Sequence, residues 1–161
     1  MVKKRLIMEQ ALALFAEQGI EATSIQQITE RCGISKGAFY LSFKSKEELI
    51  FQLIDQFMGE FAADIERMVS SAETDEDRLL FEYYAASFGT FHKHAQFAQI
   101  LMKEPVYSFQ KELIARLEMY EAILNDAARK IVLRRYPNLP PHMLADIVFT
   151  IQGFVRQYGP L

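Results

Sequence analysis

Four cations, Arg31, Lys36, Lys44 and Lys46, fall within a stretch that contains no carboxylate. Such a strip can bind nucleic-acid phosphate even in an acidic protein, because phosphate contact depends on local charge. Lys36, Gly37, Tyr40, Leu41 and Ser42 would share one helix face that is small, basic or aromatic. The same pattern also fits a helical hairpin with solvated lysines, and spacing alone leaves both readings open. No catalytic chemistry is legible. The chain has three histidines, one cysteine and no Gly-x-Ser-x-Gly or metal-ligand pattern, so no enzyme, cofactor or metal site is expected. His92 and His94 lie about 200° apart on a helix and could not share a metal as an i, i+4 pair can.

Two short helices and a tight turn would position the cations. Ile25, Ile28 and Cys32 mark one helical face, and Thr23 or Ser24 can cap its start. Gly33 permits the left-handed conformation that ends a helix. Ser35 can cap a second helix, in which Phe39 and Phe43 point the same way. Ser45-Lys46-Glu47-Glu48 reads as a capping box that opens a third. Helix, Gly-containing turn, helix is the geometry that lays a second helix in the DNA major groove.

The run ALALFAEQGIEATSIQQITERCGISKGAFYLSFKSKEEL resembles the DNA-binding domain of the TetR family of bacterial transcriptional regulators. The resemblance runs from about Lys3 to about Phe57, roughly a third of the chain. It rests on the Phe15–Gly19 helix ending, Thr23-Ser24, Gly33, Ser35-Lys36-Gly37, Phe39-Tyr40, Phe43 and Ser45-Lys46-Glu47. Leu41-Ser42 stands where the family often has one or two histidines, a departure that bears on base-level specificity and not on the fold. The resemblance implies an all-α protein with a three-helix head over residues 1–46, its helix-turn-helix at about 24–43, and a helical ligand-binding and dimerisation body over 47–161. It implies double-stranded DNA as partner, contacted by Ser24, Gln26, Ser35, Lys36, Gly37, Ala38, Tyr40, Leu41, Ser42 and Lys46, with Lys46 on a phosphate. Two heads spaced about 34–36 Å apart require a homodimer and a near-palindromic operator. The competing expectation is a helical interaction module that does not read DNA.

Half of the 161 residues are apolar and 24% are charged, a globular composition. No apolar run reaches the roughly 18 residues a membrane span needs. The single cysteine excludes an internal disulfide and, with no signal peptide readable, a cytoplasmic protein is expected. Residues 1–50 hold seven basic and six acidic groups, whereas 51–161 hold eleven and fifteen, so the net charge of −3 arises in the body.

Lys3-Lys4-Arg5 should open helix 1, which buries Ile7, Ala11, Leu14 and Phe15. That basic triplet could touch phosphate or be a solvated terminus. A long helix from Lys46 to about Ser70 repeats Leu49, Leu53, Phe57 and Phe61 every four residues, and in the family this helix joins head to body. Thr74 should cap the next helix, with Asp75, Glu76 and Asp77 in its first turn. A short helix over about Gln96–Lys103 precedes a long one with Pro105 at its start, ending at Arg134-Arg135. After the Tyr136–Pro141 break one more helix runs from about His142 to Gly159.

The aromatic and Met residues of the body read as core by spacing. The resemblance implies an effector cavity among them, and Phe61, Tyr84, Phe88, Phe91, Met102, Tyr107, Phe109 and Tyr120 are the candidates, for an apolar or amphipathic small molecule. It also implies a dimer built by the last two helices, with Ile147, Ile151 and Phe154 as anchors. Only one helix is readable past the break, so a final helix is expected to be missing from the sequence.

Overall fold

The computed structural model describes residues 2–71, 75–103 and 111–159. These are all helix and connection: α1 (Val2–Gln18), α2 (Ile25–Cys32), α3 (Lys36–Tyr40), α4 (Lys46–Ser70), α5 (Leu79–Lys93), α6 (Ala95–Lys103), α7 (Lys111–Arg135) and α8 (Pro141–Tyr158).

Local chemistry sets the boundaries of the head. Gly19 (φ 89°) and Gly33 (φ 65°) take the left-handed conformation that ends α1 and α2. Ser24 is the cap of α2: its hydroxyl accepts from Gln27 N at 3.2 Å, and Gln27 Oε1 accepts from Ser24 N at 2.8 Å. Thr23, the alternative, is buried, and its hydroxyl donates to the Gly19 carbonyl at 2.7 Å. Ser35 caps α3 by accepting from Ala38 N at 3.1 Å. Phe39 and Phe43 are both buried, and with Ile7, Ala11 and Ile28 they form the core of the head.

Ser45 opens α4, accepting from Glu48 N at 3.1 Å. The Glu48 carboxylate, however, accepts from Lys44 N, so the box closes on the residue before the cap. Along α4 the buried residues Leu49, Ile50, Leu53, Ile54 and Phe57 belong to the head's core. Phe61, Ile65 and Val69 belong to a second core with α5, α7 and α8. One helix therefore contributes to both cores. A second tie between head and body is not legible in the sequence: α6 packs along α1, putting Phe97, Ala98 and Ile100 into the same cluster as Ile7 and Leu14.

One expectation for the body changes. The acidic run does not open a helix: Asp75 Oδ1 accepts from Asp77 N at 3.1 Å, closing a local turn, and α5 begins only at Leu79. Thr74 and Pro105 lie outside the described residues. Arg134 and Arg135 do end α7, but Arg134 Nη1 reaches across to the Val69 carbonyl at 3.0 Å, capping the last turn of α4. Pro141 occupies the first turn of α8, where its missing N–H costs nothing. Leu144, Val148, Ile151 and Val155 bury one face of that helix at alternating steps of four and three.

Candidate nucleic-acid interface and body cavity

Phe39 and Phe43 anchor α3 from beneath, and this turns its remaining side chains outward. Lys36, Gly37, Tyr40 and Leu41 are exposed, Tyr40 by 52% and Leu41 by 91%. Ala38 and Ser42 are half-buried at the edges of this surface. Ser35 is exposed and Ser24 and Gln26 lie exposed at the start of α2, Gln26 Nε2 donating to Glu30 Oε1 at 2.9 Å. A β-carbon on Gly37 would meet only Ser35 Oγ, at 3.8 Å. The fold therefore does not need glycine there. The Tyr40 ring stands edge-on against Phe39 at 5.5 Å, which orients the phenol outward.

Among the described residues the cations divide into unpaired and committed ones. Lys36 and Lys44 are exposed. Arg31 is committed to Glu17 of α1 through two hydrogen bonds of 2.7 and 2.9 Å, which hold the Glu17 carboxyl below its ordinary range. Glu17 is 14 residues away in the chain, so the basic strip of the sequence includes a cation that the fold pairs. Lys46, expected on a phosphate, donates to the carbonyls of Ile20 at 2.9 Å and Thr23 at 3.0 Å, so two of its three N–H groups fasten α4 to the α1–α2 connection. Lys4 of the basic triplet lies over the Phe43 ring at 5.3 Å. Arg5 pairs instead with Glu9 along α1.

A cavity of about 440 Å³ opens in the body where α4, α5, α6, α7 and α8 converge. Its walls are Phe57, Met58, Phe61, Phe91, Ala98, Leu101, Leu117, Leu124 and Val155, with Gln152, Glu121 and Arg156 as its polar members. Of the expected pocket residues, Phe61 and Phe91 line it. Tyr84 and Phe88 do not: they stack on each other at 6.0 Å and against Phe154, forming an outer aromatic ridge between α5 and α8. Tyr120 turns toward α4, where its hydroxyl donates to Asp55 Oδ1 at 3.0 Å beside Arg116. Burial, then that carboxylate, raises the Tyr120 pKa and keeps the donor in place. Tyr107, Phe109 and the side chain of Met102 lie outside the described residues. Helical spacing located the aromatic residues but not the direction in which each helix faces.

Ile151, expected as an interface anchor, is buried in the body's own core. Ile147 is half-buried and lines a separate outer cleft of about 630 Å³ with Leu80, Tyr84 and Ile131. Phe154 is 43% exposed, and Phe149, which the sequence did not single out, is 79% exposed on the outer face of α8.

The sequence profile of the bacterial regulatory proteins of the tetR family matches residues 7–53, the three helices of the head and the start of α4. The transcriptional repressor KstR2 of Mycobacterium tuberculosis is 33% identical over 166 residues, covering 96% of this chain and 80% of the repressor. The chain belongs to the TetR family. Another relative is YerO of Bacillus subtilis, an uncharacterised helix-turn-helix regulator, 30% identical over 157 residues that make up 97% of this chain and 54% of YerO. The chain thus spans about half the length of the first curated relatives it matches. Among solved TetR-type structures, a transcriptional regulator from Aquifex aeolicus superposes with a TM-score of 0.75 at 26% identity, over 96% of this chain and 83% of the other. Among the described residues no group of three or more His, Cys, Asp or Glu could hold a metal, and no helix is long and apolar enough to cross a membrane.

Proposed function

We propose that this chain is a homodimeric transcriptional repressor whose heads bind a near-palindromic DNA operator and whose body releases it when a small apolar or amphipathic molecule binds. The observation that carries the reading is the surface of α3. Lys36, Gly37, Tyr40 and Leu41 stand outward on a helix too short to have an apolar stripe of its own, held by two buried phenylalanines. Such a surface fits a major groove, with Tyr40 and Lys36 at base edges or phosphates and Lys44 and Lys4 flanking them. Self-association through the outer face of α8, with Phe149 and Phe154 as its apolar members, would give the two-fold arrangement that paired half-sites demand. The body supplies the switch through α4, whose Phe57 and Phe61 line the cavity while its first turns belong to the head's core. A ligand that favours one position of α4 over another would shift the spacing of the heads.

Fluorescence-anisotropy titration against genomic fragments at two salt concentrations tests the reading. Specific binding whose affinity falls with salt is expected. Salt-independent or absent binding to every fragment would leave a helical interaction module as the function.

A further inference from the structure

We infer that Leu41 sets the base preference of the α3 surface by packing on the 5-methyl group of a thymine in the major groove. This rests on the reading of α3 as the DNA-contacting helix and adds to it the base that the helix selects.

Leu41 is 91% exposed, more than any other large apolar side chain among the described residues. Its place is fixed by the backbone. The Leu41 N–H donates to the Gly37 carbonyl at 3.2 Å and its dihedrals stay helical (φ −71°, ψ −24°), so α3 carries its geometry through this position. Phe39 and Phe43, two residues to either side, are both buried, which leaves Leu41 on the outward face. Gly37, four residues back and so its neighbour along that face, has no side chain, and half-buried Ala38 adds a methyl group three residues back. The result is a small apolar spot, which exposed Lys36 and Lys44 bracket in the chain. A protein partner would ask for a broader apolar patch than one leucine among polar neighbours. A thymine methyl asks for no more than this, because it projects into the major groove and is read by apolar contact.

The rest of the helix narrows the choice. From Ser35 to Phe43 there is no Asn or Gln to pair bidentately with adenine, and no Asp or Glu to accept from cytosine. Lys36 can donate to guanine O6 or N7, but it serves a phosphate equally well. The Tyr40 hydroxyl both donates and accepts, so by itself it does not separate the bases. Leu41 is the exposed side chain of this helix whose contact depends on the thymine methyl being there.

The test uses the full chain and the genomic fragment that it binds most tightly in the anisotropy titration, remade with each thymine in turn replaced by deoxyuridine. That exchange removes the 5-methyl group and keeps the base pair. Wild type is expected to lose about fourfold in affinity at one thymine of each half-site, the worth of one buried methyl group. Leu41→Ala should bind the thymine and deoxyuridine versions of that site equally. Leu41→Met, which restores an apolar side chain of similar volume, should regain the difference. Neither variant should alter the salt dependence, since no phosphate contact is removed, and circular dichroism should show both melting with the wild type, since the side chain stands in water. Wild-type binding that is indifferent to the exchange at every thymine would overturn the assignment, as would a sensitivity that Leu41→Ala retains in full. A loss in Leu41→Ala that is the same on every DNA would mark a contact to the sugar-phosphate backbone and overturn it too. Those results, with specific binding intact, defeat the inference alone. Absence of binding to every fragment defeats the DNA reading on which it stands.

Discussion

Replacing Lys46 by methionine keeps the aliphatic stem and removes the ammonium, which isolates the two bonds to the Ile20 and Thr23 carbonyls. A hydrogen bond involving a charged group contributes about 1.5–3 kcal/mol when well buried. Lys46 is half-buried, so water replaces part of the interaction in the variant, and the pair together should be worth about 2 kcal/mol. For a chain of this size each kcal/mol moves the midpoint by roughly 2–4 °C, so Lys46→Met should melt about 4–8 °C lower at pH 7. Thermal unfolding followed by far-ultraviolet circular dichroism reads this directly. The DNA titration gives an independent reading. A lysine that also neutralises one phosphate would lower the salt slope by about one when removed, whereas a purely internal one would leave the slope alone. A variant that melts with the wild type but binds DNA more weakly would refute the internal role and restore Lys46 as a phosphate contact.

Lys36→Ala and Tyr40→Ala should each cost about 1–3 kcal/mol of operator binding while shifting stability by no more than about 0.5 kcal/mol, since both side chains are exposed; wild-type DNA affinity in both would displace α3 as the reading helix. Phe149→Asp should weaken self-association by tenfold or more, measured by sedimentation equilibrium, and leave the melting of the monomer unchanged. Arg31→Ala concerns pH. The Glu17 carboxyl is depressed in the folded state, so its pairing stabilises above the ordinary carboxyl value of 4.5 and is lost as pH falls through the folded value. Wild type and Arg31→Ala should therefore differ in stability at pH 7 and converge in acid, and parallel pH curves would show that the pair contributes nothing.

The head was legible almost residue by residue because its determinants are local. Ser24, Ser35 and Ser45 cap, Gly19 and Gly33 reverse, and phenylalanines four apart bury, all within a few positions of one another. Contacts that join distant segments were not legible. Nothing near Arg31 announces Glu17, and nothing near Lys46 announces the Ile20 carbonyl. The body was legible as helices and illegible as a cavity for the same reason. The apolar stripe of α7 is visible in the sequence, but whether Tyr120 faces the cavity or Asp55 depends on how α7 sits against α4. The contact of Gln152 with the Tyr83 hydroxyl was equally illegible, since the two residues lie far apart in the chain.

The packing of α6 along α1 bears on how such a protein can be taken apart and recombined. Met8 and Leu12 of α1 face a small cleft shared with Leu53, Phe57, His94 and Phe97, so the head's outer wall is completed by residues from beyond α5. A graft that exchanged residues 1–46 for those of a relative would cut between α1 and the α6 surface it leans on, and through the core that Leu49, Ile50 and Ile54 share with Phe39. Only chimeras that carry the matching face of α6, together with the first three turns of α4, would inherit an intact core. For this reason the unit of exchange is larger than the motif that touches DNA.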